Sequence, residues 1–116
     1  MLTFVFDAQT YAKYLTKVVK AFHHEGIPIW RLSLQNEPQF EPKYPGTLVN
    51  SDAAADIGDL VRAEFDKAGL NRTELIALDH NWDLAQYPID VFNRSTSFKG
   101  VGWHCYVSPS GKCRQA

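Results

Sequence analysis

Apolar and polar positions along the chain follow two periods in turn. Tyr11, Leu15, Val18, Val19 and Phe22 recur at helical spacing, which predicts a helix over about 8–25 that Asp7 caps and that Gly26 and Pro28 end. Ile57, Leu60, Val61, Phe65 and Ala68 give a second helix over about 51–68, with Asn50 or Ser51 as cap, Asp52 and Asp56 in or near its first turn, and Gly69 as stop. Pro88 opens a short third helix over about 88–94, with Ile89, Val91 and Phe92 partly buried. Three strands lie between and after these helices, over about 27–36, 74–79 and 99–106. In the first, Leu32 and Leu34 alternate with Arg31, Ser33 and Gln35, and Pro38 stops the ladder.

Alternating helices and strands with one apolar face make right-handed βα units. The class is α/β, and two architectures fit: an open doubly wound sheet, or part of an eight-stranded barrel. Each strand runs into a polar and aromatic cluster: Gln35-Asn36-Glu37-Pro38, then Asp79-His80-Asn81-Trp82-Asp83, then His104-Cys105-Tyr106. In a parallel sheet all three clusters share the carboxyl-end rim, where ligands of α/β folds gather. The proline-rich stretch from Pro38 to Thr47 is a long loop of the kind that is often functional. Its Phe40 and Tyr44 either stack on a ligand or pin the loop. His23 and His24 belong to the last helical turn, where their charge suits the dipole, and are read as structural.

Composition narrows the classes. The 116 residues are 45% hydrophobic with a formal charge of −1, which describes a globular domain. Charges of both signs are mixed, with no basic stripe for nucleic acid. No apolar run is long enough to span a bilayer, and the first residues lack the basic start of a signal peptide. Asn71-Arg72-Thr73 and Asn93-Arg94-Ser95 fit the glycosylation sequon, and two such sites favour a secreted, extracellular parent protein. Cys105 reads as a small buried strand residue; a bridge to Cys113 requires an oxidising compartment. No metal-ligand spacing or phosphate loop is present, so neither metal nor cofactor is expected.

The three clusters taken in order resemble strands four, five and six of a (β/α)8 glycoside hydrolase. The similarity is to family 30, which includes glucosylceramidases and fungal endo-β-1,6-glucanases, and Asp79-His80-Asn81-Trp82-Asp83 with Trp103-His104-Cys105-Tyr106 resemble the glucanase branch more. The resemblance implies a partial TIM barrel, from about helix 3 to strand 6. It implies that Glu37 is the general acid/base and that Asn36 bonds the sugar 2-hydroxyl. Tyr106 would reach toward the nucleophile with His104 beside it. Asp79, His80, Asn81, Trp82, Trp103 and Tyr44 would bind substrate, Trp82 above all as a subsite wall; Trp103 is equally suited to filling the interior.

A retaining glycosidase places two carboxyl groups about 5–5.5 Å apart, one protonated and one ionised, and their mutual repulsion raises one pKa of the pair. In the family the nucleophile is a Glu ending strand seven, so the resemblance implies a central fragment, inactive alone, with the other strands supplied by the parent chain. Glu41 and Asp79 are the nearest substitutes in this sequence, and each is better explained as a loop or subsite residue. A barrel of this type takes about 250 residues. The expected partner is a β-glucan or other β-glucoside. Two further readings stay open: a non-catalytic carbohydrate-binding fragment, and a glycosidase of another (β/α)8 family, glucosylceramidase-like or cellulase-like.

Overall fold

The computed structural model describes residues 7–41, 43 and 46–106. The elements run α1 (Ala8–His24), β1 (Arg31–Ser33), α2 (Ser51–Lys67), β2 (Glu74–Asn81), a 3-10 turn (Trp82–Leu84), α3 (Gln86–Arg94) and β3 (Phe98–His104). The strands form one parallel sheet in the order β1-β2-β3. Parallel neighbours need crossovers, and α2 and α3 provide them.

Both long helices start where a side chain satisfies free backbone N–H groups. Asp7 accepts from Gln9 and Thr10, and Asn50 accepts from Ala53. They end alike, at Gly26 and Gly69, both with positive φ, where the next residue bonds back to Phe22 and Phe65 respectively. Pro88 falls in the first turn of α3 rather than at its start, a position where a missing N–H breaks no helical bond.

The helices cover one face of the sheet. Leu32, Leu75, Ala77, Phe98 and Val101 pack there with Ala12, Leu15 and Val19 of α1, Ile57, Val61 and Phe65 of α2, and Val91 of α3. Gly58 lets α2 approach closely: a Cβ at this position would lie 2.3 Å from the Phe98 ring. Tyr87 reaches across to donate to the Val49 carbonyl at 2.9 Å, and burial pushes its phenol pKa up to about 12.

Four expectations need correction. The strand expected over 27–36 is regular only at Arg31–Ser33, because Pro28 lacks a donor and β2 begins only opposite Arg31. The strand expected to end at 79 continues to Asn81, because a bulge at Asp79 restores the ladder: Leu78 pairs with Gly102, and His80 with Trp103. Ile89 and Phe92 are exposed, since the described residues cover only one side of α3. Cys105 is neither buried nor in the strand; it lies exposed after β3 and is disulfide-bonded. Cys113, the second cysteine, lies outside the described residues.

Candidate functional site

Residues of the sheet that alternate with the core positions face away from the helices. By register these are Arg31 and Ser33 on β1, Glu74 and Ile76 on β2, and Gly100 and Gly102 on β3. At the carboxyl ends of the strands this open face carries a connected polar group. Ser33 donates its hydroxyl to Asp79 Oδ2 at 2.6 Å. Asp79 Oδ1 lies 3.1 Å from His104 Nε2, and His104 Nδ1 lies 2.9 Å from Glu37 Oε1. The three side chains of the Glu37–His104–Asp79 unit are partly shielded, at 18%, 21% and 26% exposure respectively.

The backbone is shaped around this group. Among the described residues, the non-glycine residues with positive φ are Glu37 (45°), Leu78 (72°) and Asp79 (62°). Such conformations cost energy and persist only where surrounding contacts hold them. The Glu37 N–H donates to the Asp79 carbonyl at 3.0 Å, tying the end of β1 to the bulge of β2. Gly102 leaves room for that bulge: a Cβ there would meet Asp79 Cα at 3.2 Å and Oδ1 at 3.3 Å.

An ionised carboxylate only accepts hydrogen bonds, so a ring with a carboxylate at each nitrogen is best served when both nitrogens carry protons. The His104 pKa is accordingly raised, first by the hydrogen bond to Glu37 and further by Asp79, against the opposing effect of burial. His104 also meets Tyr106 edge-on, with ring centres 5.6 Å apart.

The structure thus brings together Glu37, Asp79, His104 and Tyr106, the last 81% exposed. Asp79, expected to help wall a sugar subsite, has both oxygens engaged, by Ser33 and His104. His80 is buried, and its Nδ1 accepts from the Asn81 N–H at 2.8 Å. Trp103 neighbours His104 in β3 and therefore faces the opposite side of the sheet, packed against the core. Trp82 stacks on it, with centroids 4.5 Å apart and planes 4° from parallel. Trp82 keeps 42% of its surface exposed. Asn36 is exposed beside Glu37, and Tyr44 lies outside the described residues. Asn71 and Asn93 are both exposed, in a turn and in the last turn of α3.

Ser33 opens the stretch 33–38 in which sequence reasoning places the chemistry, but that reasoning gave it no role of its own. Its signal was present: a hydroxyl at an open-face position two residues before the strand's terminal cluster. Among the described residues, no group of three or more His, Cys, Asp or Glu side chains is placed to hold a metal ion. No helix there is long and apolar enough to cross a membrane.

No family model matches the chain. Endo-1,6-β-D-glucanase neg1 of Aspergillus fumigatus is 35% identical over 103 residues, covering 86% of this chain and 21% of that protein. The Endo-1,6-β-D-glucanase of Neurospora crassa is 34% identical over 104 residues, covering 87% of this chain and 22% of its own length. Among solved structures, the endo-β1,6-glucanase BT3312 superposes with a TM-score of 0.79 at 27% identity, over 87% of this chain and 24% of that one. These likenesses are consistent with the family 30 resemblance of the three motifs. The chain is a relative of the endo-1,6-β-D-glucanases and spans about a fifth of the length of those fungal proteins.

Proposed function

We propose that the chain carries the acid/base half of a retaining β-glycoside hydrolase site acting on β-1,6-glucan, within part of a (β/α)8 barrel. The observation that carries this reading is the meeting of Glu37, from the segment after β1, Asp79, at the bulge of β2, and His104, the last residue of β3. The outward apolar side chains of α1 and α3, Tyr14, Phe22, Ile89 and Phe92, suit flanking βα units of a larger barrel. The exposed sequon residues Asn71 and Asn93 suit a secreted parent protein.

The short contact between His104 and Glu37 supports a proton route in this reading. With Glu37 ionised, His104 donates through both nitrogens. Transfer of the Nδ1 proton to Glu37 Oε1 leaves a neutral ring that still donates from Nε2 to Asp79, and makes Glu37 the acid. Glu37 then protonates the departing glycosidic oxygen while a second, ionised carboxylate attacks the anomeric carbon. In the second step Glu37 takes a proton from the water that releases the sugar. Asp79 is unsuited to the attack because both its oxygens are engaged, and in this reading the nucleophile is a carboxylate that the parent chain supplies. In this reading Asn36 bonds the 2-hydroxyl, Tyr106 lies toward the nucleophile, and the exposed side of Trp82 offers a flat surface to a neighbouring sugar.

The test replaces the matching stretch of the Aspergillus fumigatus glucanase with this chain. The folded chimera is expected to cleave β-1,6-glucan, and Glu37→Gln to reduce turnover by about 10²–10⁴-fold, the range of a general acid/base. A β-glucoside with a strongly acidic phenol as leaving group needs no proton, so Glu37→Gln should spare its first step. Undiminished glucan cleavage by Glu37→Gln would sink the assignment. Saturable glucan binding by a folded but inactive chimera would favour a carbohydrate-binding piece.

A further inference from the structure

We propose that Ser33 is a positioning residue: by donating to Asp79 Oδ2, its hydroxyl fixes the carboxylate that orients the His104 ring against Glu37. Ser33 is the last residue of β1 and pairs with Ile76, so its side chain emerges on the open face directly before the segment that carries Glu37. The hydroxyl makes a 2.6 Å bond to the bulged residue of the neighbouring strand.

Asp79 needs such a tie. At φ 62° its backbone is in the left-handed region, which costs a side-chain-bearing residue energy although Asp tolerates it better than most. Two contacts hold its carboxylate, Ser33 at Oδ2 and His104 at Oδ1. Remove the first and the carboxylate can turn toward solvent about its own side-chain bonds, and His104 Nε2 loses a fixed acceptor. The ring then keeps only Glu37, on the group that has to stay still for proton transfer. Besides these two carboxylates, the titratable groups facing His104 among the described residues are His80, with ring centres 6.3 Å apart, and Tyr106. Neither touches Ser33 in any described contact.

The catalytic meaning of this tie rests on the reading of Glu37 as acid/base; the tie itself does not. It is therefore tested without substrate, on the 116-residue chain carrying ¹⁵N-labelled histidine, by following the His104 ring nitrogens through a pH titration. Ser33→Ala is expected to lower the His104 midpoint by about half a unit or more and to speed exchange of the Nε2 proton, as expected when a charged acceptor is lost. His23 and His24 should be unmoved. Ser33→Thr and Ser33→Val make a second, isosteric pair in a strand position that accepts β-branched residues. Only the valine should reproduce the alanine effect. A midpoint unchanged in Ser33→Ala and Ser33→Val overturns the proposal. So does a raised one, which would show that the hydroxyl merely weakens Asp79 as an acceptor. Failure here would leave Glu37 untouched as the acid/base, and failure of the chimera would leave the tie intact.

Discussion

On its helix side the sheet presents Leu75, Ala77, Phe98 and Val101 to three helices; on the other it presents Ser33, Ile76, Gly100 and Gly102. The same strands, read one residue out of step, serve opposite ends. The first face is close-packed, and its contacts are of the non-directional kind that the hydrophobic effect supplies. The second is thinly furnished, and near its carboxyl edge holds a directional chain of hydrogen bonds over strained backbone. Stability and candidate chemistry are therefore separable by face, and substitutions should sort accordingly.

The largest effect belongs to the covered face. Phe65 is fully buried under the sheet, and Phe65→Ala should cost about 3–5 kcal/mol in denaturant unfolding, because it removes a large side chain and leaves a cavity. Where the variant remains folded, the His104 midpoint should stay put. A large midpoint change would show that the faces are coupled.

Gly102→Ala tests the open face. The new methyl group meets Asp79 at 3.2–3.3 Å, so the bulge must give by a few tenths of an ångström. The expected cost is smaller, about 1–3 kcal/mol, but the His104–Asp79 bond should weaken, read as a lower His104 midpoint. Loss of stability with His104 unaltered would mean that the glycine serves packing alone.

The smallest effect is a slope. A histidine whose pKa is raised in the folded state stabilises the fold fully below its unfolded pKa, and that contribution is lost as pH rises through the folded value. Thermal unfolding should therefore show a contribution that fades from mildly acidic pH upward, and His104→Gln should flatten it. An unchanged slope in that variant would place the titrating group elsewhere.

Much of the covered face was legible in the sequence because periodicity and caps report it directly: Asp7 and Asn50 begin helices, Gly26 and Gly69 end them, and Leu15, Val19, Val61 and Phe65 fall inward. The rim was legible as a set of residues but not as a set of contacts. Glu37 and His104 were both chosen from their places at strand ends, and the structure puts them 2.9 Å apart. The bulge escaped notice because Leu78 and Asp79 carry no glycine to announce positive φ, and the expected strand stopped at 79 instead of running on to Asn81. Cys105 was misread for a related reason: β3 ends one residue before it.

The bulge also says how little separates an inert sheet from one with a charged edge. Delete the single residue Asp79, and β2 would run on in strict alternation, with the hydroxyl of Ser33 and one nitrogen of His104 both left without an acceptor. The ladder would be more regular and the backbone more relaxed, and the rim would have nothing with which to steady a proton.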